Sequence, residues 1–259
     1  GSSYRVGLFF DPQGNLWVTD PGNHRVLRYP VALLGDSASN GPSADLVIGQ
    51  PDFSTRLAYE TNRLGPLYKT SLIYPGSVTL DAAGRLFIGD QVGRVMAYAP
   101  PFRNGMDAAR VLGVVVNVQG QPARPPVNEY SLAVPEGLFA VNNNLFVVDA
   151  AAHRITRYDP FDTWADETLL IPSPPAKAVF GQPDLLSFKA NRGGRSATDN
   201  SFFRPTTGAV VGTDVYLCDS GNHRLLIIPV SNNNALSATN NNLLSATNVQ
   251  GQLLSLIHI

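Results

Sequence analysis

One line of sequence occurs four times along the 259-residue chain, and this internal repeat constrains the fold more than any other feature. The copies read GNLWVTDPGNHRVLRY from Gly14, GRLFIGDQVGRVMAY from Gly84, NNLFVVDAAAHRITRY from Asn143 and TDVYLCDSGNHRLLII from Thr213. The aspartates that close the first half of each copy are Asp20, Asp90, Asp149 and Asp219, spaced by 70, 59 and 70 residues. A unit repeated in this way predicts an architecture in which every copy forms the same supersecondary element.

Each copy has the pattern of a β-hairpin, in which two runs of β-prone residues flank a short turn rich in Gly, Asn and Asp. The first strand is apolar on both faces, as in Leu16-Trp17-Val18 and Leu145-Phe146-Val147. A strand with one face in water would alternate apolar and polar residues, so these strands are expected to be covered on both sides. Equivalent sheets packed face to face around a ring would supply that cover.

Two further strands are predicted for each repeat, one before the hairpin and one after it. The preceding strands begin at Gly7, Gly76, Gly137 and Gly208, and the following runs include ADLVIG from Ala44 and KAVFG from Lys177. Four short antiparallel strands per repeat are typical of the blade of a β-propeller. In the second copy the alignment stays open, because ARVLG from Ala109 and NVQGQ from Asn117 both compete for the end of the repeat.

The predicted fold class is therefore all-β, a β-propeller with four four-stranded blades in one domain over residues 1–253. The blades are expected at about residues 5–50, 75–121, 135–182 and 205–252, with long connectors between the last strand of one blade and the first strand of the next. Residues 254–259, LSLIHI, break the preceding Asn-rich stretch, and we interpret them as a non-native tail.

The hairpin turns resemble the signature of the NHL repeat family, which is named for an Asn-His-Leu-like triplet. It corresponds here to Asn23-His24-Arg25-Val26 and Asn222-His223-Arg224-Leu225. The second copy departs from the signature with Gly93-Arg94 in a shorter turn, and the third has Ala152-His153-Arg154 without the asparagine. Long repeats with a GQPD marker, present here at Gly49 and Gly181, are similar to those of bacterial NHL proteins. The resemblance implies a propeller of about six blades, of which this chain would be a part.

The polar residues of the turns are interpreted as structural, since side-chain hydrogen bonds from Asp, Asn and His hold tight turns. Neutral histidines also bind metals, but equivalent turns of successive blades keep their histidines apart. Asp219, Ser220 and His223 share one turn, whereas a catalytic triad converges from distant segments. Cys218 occupies the position directly before the turn aspartate, where the other copies have small residues, and it is therefore expected in the core. The structural signature comprises Asp20, Asn23, His24, Arg25, Asp90, Arg94, Asp149, His153, Arg154, Asp219, Asn222, His223 and Arg224.

A catalytic metal in the channel would need several carboxylate, amide or histidine ligands from the innermost strands. Glu136 is the one residue that stands out near such a position. We therefore expect no metal, no cofactor and no catalytic residue. An enzyme of the propeller lyase or lactonase class, with a metal in the channel, is the alternative.

The topology of a blade predicts where binding occurs. Neighbouring strands are antiparallel, so the hairpin turns and the long connectors emerge on the same face, and long loops on a rigid scaffold commonly bind ligands. The candidates are Gln50, Asp52, Phe53, Arg56 and Tyr59 in one connector and Gln182, Asp184, Phe188, Lys189 and Arg192 in another. The GQPD segments themselves are interpreted as structural, with Pro and Asp fixing a turn and Phe53 filling a gap between blades. The predicted binding residues are therefore Arg56, Tyr59, Phe188, Lys189 and Arg192.

The net charge and the composition limit the classes of partner that we expect for this chain. A net charge of -1 supplies no general attraction for nucleic acids or anionic membranes, and RNA recognition would require the turn arginines to form one contiguous surface. The single cysteine excludes an intrachain disulfide. We predict a non-catalytic binding or scaffolding module that engages a protein or a small ligand. An extracytoplasmic or secreted bacterial protein is the expected context.

Overall fold

The computed structural model describes residues 5–35, 40–57, 69–116, 119, 127–230 and 248–250. Within these ranges the chain forms four antiparallel sheets of four strands each, and it contains short 3-10 turns but no α-helix. Blade 1 comprises β1 (Leu8–Phe10), β2 (Leu16–Asp20), β3 (Arg25–Tyr29) and β4 (Leu46–Ile48), and blade 2 comprises β5 (Pro75–Leu80), β6 (Leu86–Asp90), β7 (Arg94–Tyr98) and β8 (Arg110–Leu112). Blade 3 comprises β9 (Pro135–Val141), β10 (Asn144–Asp149), β11 (Arg154–Tyr158) and β12 (Ala178–Phe180), and blade 4 comprises β13 (Pro205–Val211), β14 (Asp214–Asp219), β15 (Arg224–Pro229) and β16 (Asn248–Gln250). The predicted four-bladed β-propeller is confirmed.

The strands of each blade follow one another in chain order, and their register repeats from blade to blade. The aspartate that ends the second strand pairs with the arginine that begins the third, as in Asp20 with Arg25 and Asp219 with Arg224. In blade 2 the fourth strand is Arg110–Leu112, which decides the open alignment in favour of the Ala109 alternative. In blade 4 the fourth strand is Asn248–Gln250.

The hydrophobic core lies between consecutive blades. Alternate residues of a strand point to opposite sides, so that Leu145 and Val147 pack toward blade 2 while Phe146 packs toward blade 4. All three side chains are buried, which accounts for a strand that is apolar on both faces. On the side of blade 1 away from blade 2, Leu8 and Phe10 are 65% and 63% exposed.

The expectation that Cys218 lies in the core is wrong, because this side chain is only partly buried. Its counterparts Thr19 and Val148 are buried at 1% and 0% exposure, since they pack against the next blade. Cys218 is on the side of blade 4 that faces away from blade 3, opposite the exposed Thr207. The same position in the repeat therefore has a different environment in the last described blade.

The first strands of all four blades line a central channel with a volume of about 670 Å³. The backbones of adjacent first strands approach closely, because a Cβ on Gly137 would lie 2.8 Å from the carbonyl oxygen of Thr206. Such contact holds the blades at a fixed spacing and gives a rigid base for the loops. None of the helices in the described ranges has the length and hydropathy needed to cross a membrane.

Candidate binding site on the loop-rich face

An aspartate–arginine pair closes the hairpin of every blade. The arginine Nε donates to the aspartate at 2.8 Å in Arg25–Asp20, 3.0 Å in Arg94–Asp90, 3.3 Å in Arg154–Asp149 and 2.8 Å in Arg224–Asp219. The pairs of blades 2, 3 and 4 are almost fully buried, whereas the side chains of Arg25 and Asp20 remain 17% and 27% exposed. Buried guanidinium groups of this kind present no contiguous cationic surface to a nucleic acid.

Each buried arginine also anchors the segment that leads into its own blade. Arg94, Arg154 and Arg224 donate to the backbone oxygens of Ser71, Ser131 and Ser201 at 3.1, 2.7 and 2.7 Å. These serines begin a Ser-apolar-x-x-Pro motif at residues 71–75, 131–135 and 201–205, which we name the lead-in segment. The sequence analysis missed this motif, although its constant spacing before each Pro-initiated first strand is a readable signal.

The apolar residue of the lead-in segment fills the gap between blades. Leu72 and Phe202 are completely buried, and Leu132 is 2% exposed. The prediction that Phe53 fills such a gap is wrong, because Phe53 is 41% exposed. The physical reason is that Phe53 follows the Asp52 turn outward, and its backbone oxygen accepts a hydrogen bond from Arg25.

Two turn histidines connect one blade to the next. The Nδ1 atom of His24 accepts a hydrogen bond from the backbone N–H of Tyr74 at 3.2 Å, and that of His153 accepts one from Arg204 at 3.0 Å. Tyr74 and Arg204 have positive φ angles of 50° and 47°, which turn their N–H groups away from regular strand geometry. Burial lowers the pKa of both histidines, which favours the neutral form that an accepting Nδ1 requires.

The remaining turns differ from these two. Blade 2 has Gly93 in place of the histidine, and the histidine of blade 4, His223, is exposed. No three His, Cys, Asp or Glu side chains cluster as a metal site within the described ranges. In each described turn the aspartate side chain accepts a hydrogen bond from the arginine of the same hairpin.

The two GQPD glutamines hold the connectors against the hairpin turns. The Nε2 atom of Gln50 donates to the backbone oxygens of His24 at 3.2 Å and Leu57 at 2.8 Å. The Nε2 atom of Gln182 donates in the same way to His153 at 3.0 Å and to Lys189 at 2.9 Å. These contacts bring turn and connector together on one surface, which we call the loop-rich face.

The aspartates of the GQPD segments form local turns. The Oδ1 atom of Asp52 accepts hydrogen bonds from the backbone N–H groups of Ser54 and Thr55, both at 2.8 Å, and these together with the two hydroxyls lower the pKa of Asp52 to about 2. Asp184 accepts from the N–H groups of Leu186 and Ser187 at 2.9 and 2.8 Å. Each carboxylate is thereby committed to shaping its connector.

Three of the predicted binding residues lie together around one cavity. Phe188, Lys189 and Arg192 line it with Gln182, Pro183 and Leu186, and its volume is about 310 Å³. We name it the connector pocket. Phe188 is 52% exposed, Lys189 is exposed, and Arg192 is half-buried and donates to the backbone oxygen of Gln182 at 3.4 Å. Burial lowers the pKa of Arg192, an effect that nearby Asp199 opposes.

The two other predicted binding residues belong to the first connector. Arg56 is exposed beside the Asp52 turn, and Tyr59 lies outside the described residues. The structure therefore brings together the candidates of the third connector and gives no shared site for those of the first.

The side-chain oxygen of Gln182 distinguishes the two connectors. In the first connector, Oε1 of Gln50 accepts a hydrogen bond from the N–H of Leu57 at 3.1 Å, which closes the ring between glutamine and loop. In the third, Gln182 is fully buried and its Oε1 has no hydrogen-bond partner. The orientation of this amide is well defined, because three backbone oxygens surround Nε2 at 2.9 to 3.5 Å. A buried acceptor left unpaired costs about 1–3 kcal/mol, so the two glutamines differ in how well the connector satisfies them.

The channel has a different chemistry. Glu136 is the one carboxylate among its described lining residues, and Arg5 pairs with it at 2.6 Å. Burial raises the pKa of Glu136, and this effect is opposed by the positive charges of Arg5 and Arg204. A single carboxylate that an arginine already neutralises does not form a multidentate metal site.

The fold and the loop-rich face define a protein of the β-propeller class. No family model matches the chain, and no curated protein matches it in sequence. Among solved structures, it is similar to the β-propeller domain of Cps50 (Swd1) from Myceliophteria thermophila, with a TM-score of 0.54 and 9% identity over 96% of this chain and 60% of that one. It also aligns with virginiamycin B lyase from Staphylococcus aureus, with a TM-score of 0.44 and 13% identity over 88% of this chain and 52% of that one. The chain thus spans roughly half to three fifths of the length of these two proteins. At 9% identity, the likeness to the Cps50 domain shows the propeller fold alone.

Proposed function

We propose that this chain is a non-catalytic binding module that engages a protein or a small ligand through its loop-rich face. The observation that carries this proposal is the connector pocket, which Phe188, Lys189 and Arg192 line together with Gln182. A pocket that combines a small number of polar groups with an aromatic surface has the composition of a ligand site.

The scaffold supports the same proposal. The aspartate–arginine pairs, the histidine links and the glutamine bridges fix the turns and the bases of the connectors. Rigid support of this kind keeps binding groups in place before the ligand arrives and lowers the entropic cost of association. We also propose that the module is an NHL-type bacterial and exported protein in which further blades complete the propeller; the NHL-like signature in the turns supports this proposal.

The alternative is an enzyme of the lyase or lactonase class with a metal in the channel. No contact of the described residues favours it, because the channel is lined mainly by glycine, threonine and apolar side chains around Glu136. We therefore place function on the loops and not at the axis.

Binding at the loop-rich face can be tested by a nuclear magnetic resonance titration of the labelled chain with a fragment set of carboxylic acids, amines and neutral aromatics. The proposal expects saturable shifts at backbone amides of the connector that contains Gln182 and Phe188. Shifts confined to the channel strands, or metal-dependent hydrolysis of a lactone substrate, would contradict it.

A further inference from the structure

We infer that the chain binds a second copy of itself head to tail, through the two outer sides of its row of blades. In each blade, one side faces the preceding blade of the chain and the other faces the following blade; we call them the leading face and the trailing face. In the described part of the chain, the leading face of blade 1 and the trailing face of blade 4 remain partly exposed. The trailing face of one copy packs against the leading face of the other. This contact lies outside the loop-rich face and goes beyond the proposed function.

The leading face of blade 1 is apolar. Leu8 and Phe10 of β1 lie on it and are 65% and 63% exposed. Val78 and Leu80 occupy the same positions in blade 2, where they are 5% and 8% exposed because they pack against blade 1. Strands β2 and β3 extend the apolar surface with three cross-strand neighbours, Leu16, Val18 and Leu27. The exposed leucine and phenylalanine therefore belong to a surface that is covered in the next blade.

The trailing face of blade 4 is apolar as well. Val211 is 60% exposed, whereas Val141, at the same position of blade 3, is 6% exposed and packs against blade 4. Cys218 is half-buried, whereas its counterpart Val148 is fully buried. The other apolar side chains of this face are those of Ala209, Tyr216, Leu225 and Ile227. An apolar sheet face that is left partly uncovered marks a contact site.

The turn of blade 4 is open in the same way. In blades 1 and 3, the Nδ1 atoms of His24 and His153 accept hydrogen bonds from backbone N–H groups of the next blade. His223 has the same left-handed backbone conformation, with a φ of 52° against 56° and 54°, but it is exposed. Blade 4 thus presents a trailing face and a turn that match those through which blades 1 and 3 contact the next blade.

A second copy is the occupant because the chain itself contains the matching surface. Trailing face against leading face is the contact between blades 1 and 2, between blades 2 and 3, and between blades 3 and 4. The leading face of blade 1 has the apolar residues that this contact uses, and burying them removes apolar surface from water. The net charge of -1 opposes the approach of two copies only weakly. In this arrangement the second copy supplies further blades of the propeller.

Sedimentation velocity of the full chain from about 1 to 100 μM measures the association. We expect a mass of two or more copies that falls on dilution. Leu8→Lys is expected to weaken the association at least about tenfold, because it buries an unpaired charge in the contact. Leu169→Lys is the matched control, since Leu169 is 76% exposed and follows Glu167, which pairs with Arg110 of blade 2 at 3.3 Å, away from both faces. Unchanged circular dichroism spectra establish that the variants are folded.

Mixing two variants tests the head-to-tail direction. Val211→Asp alters the trailing face of blade 4 as Leu8→Lys alters the leading face of blade 1. Each variant alone is expected to be mainly monomeric, because every contact includes one altered face. An equimolar mixture is expected to associate, since the Leu8→Lys chain keeps its trailing face and the Val211→Asp chain keeps its leading face.

The native cysteine tests which residues meet. Between blades 2 and 3, a Cβ on Gly89 would lie 3.6 Å from the Cβ of Pro135, a separation typical of disulfides. Cys218 and Arg5 occupy the equivalent positions of blades 4 and 1. In Arg5→Cys, the new thiol is therefore expected to form a disulfide with Cys218 of the second copy under mild oxidation, and a non-reducing gel shows the covalent multimers. The unaltered chain and Leu169→Cys are the controls, and both are expected to remain mainly single chains.

Three results would overturn the inference. They are the mass of one copy over the whole concentration range, association that Leu8→Lys weakens no more than Leu169→Lys does, and a mixture of the two face variants that stays monomeric. Equal multimers from Arg5→Cys and Leu169→Cys would contradict the pairing of the two faces. Each of these results leaves binding at the loop-rich face untouched, because the nuclear magnetic resonance titration detects it through separate amides.

Discussion

We expect the contribution of each turn arginine to the free energy of unfolding to depend on its burial. Two arginines of the chain form a matched pair that can measure this dependence. Arg154 and Arg25 occupy the same position of the repeat and bind equivalent aspartates. The side chains of Arg154 and Asp149 are 0% exposed, whereas those of Arg25 and Asp20 are 17% and 27% exposed. Arg154→Met and Arg25→Met therefore remove the same groups from a dry site and from a partly wet one.

The stability that Arg154→Met should lose depends on the buried acceptors that the missing guanidinium leaves without a donor. Besides Asp149, it donates to the backbone oxygens of Leu185 at 2.8 Å, Ser131 at 2.7 Å and Asn128 at 3.3 Å. Breaking a buried ion pair by removing one partner costs about 3–5 kcal/mol. Asp149 retains backbone N–H groups from the lead-in segment, which keeps the expected value within that range.

In Arg25→Met, the partner Asp20 loses its ion pair but stays in contact with water, because it is already 27% exposed. Ion pairs that water reaches contribute about 0–1 kcal/mol, so we expect a difference of about 3 kcal/mol between the two variants. Urea unfolding at pH 7 measures it, provided that the slopes with denaturant are equal. Equal losses in the two variants would refute the reasoning that burial sets the strength of these pairs.

Three further predictions follow from the packing between blades. Phe202→Ala should cost about 3–5 kcal/mol, because the ring is completely buried, whereas Phe53→Ala should stay within about 0.5 kcal/mol; urea midpoints compare them. Gly181→Ala should cost about 1–3 kcal/mol, since φ is 85° and a Cβ would lie 2.1 Å from the Phe202 ring, and thermal unfolding measures the loss. Burial lowers the pKa of His24 below 6.5, so this histidine binds a proton less readily in the folded chain than in the unfolded one. The stability that neutral His24 contributes should therefore be fully present above about pH 6.5 and be lost as the pH falls through the folded pKa. His24→Gln should reduce that acid loss in unfolding curves recorded across pH.

Much of the fold could be predicted because the information is local and repeated. The hairpin from Gly14 to Tyr29 contains its strands, its turn and its aspartate–arginine pair within sixteen residues, and four copies remove the ambiguity of one. The apolar pattern on both faces of Leu145–Val147 correctly predicted neighbours on both sides. That the chain is part of a propeller with further blades stays a prediction.

The links between blades could not be predicted, because one partner in each is an ordinary backbone group. His24 bonds to the N–H of Tyr74, which is 50 residues away and carries no side-chain signature of that role. Phe53 and Phe202 were likewise indistinguishable by type, and their exposure depends on which way the connector turns. Only the spacing of the lead-in segments before Pro75, Pro135 and Pro205 held a usable signal.

The candidate site also contains a feature that the sequence could not predict. Gln50 and Gln182 lie in identical GQPD segments, yet one side-chain oxygen is paired and the other is not. In the first connector the backbone N–H of Leu57, seven residues after the glutamine, donates to this oxygen, and the third connector has no equivalent hydrogen bond. The sequence analysis named Phe188, Lys189 and Arg192 for exposure, and it assigned Gln182 a structural role in the connector.

The central claim is that the turn histidines of blades 1 and 3 join these blades to the lead-in segments of blades 2 and 4, which makes the loop-rich face rigid. Scalar couplings across hydrogen bonds in uniformly ¹⁵N-labelled protein test this claim directly. We predict correlations from the amide nitrogen of Tyr74 to Nδ1 of His24 and from that of Arg204 to Nδ1 of His153. A folded chain in which both Nδ1 atoms carry the proton, with neither correlation, would contradict the account.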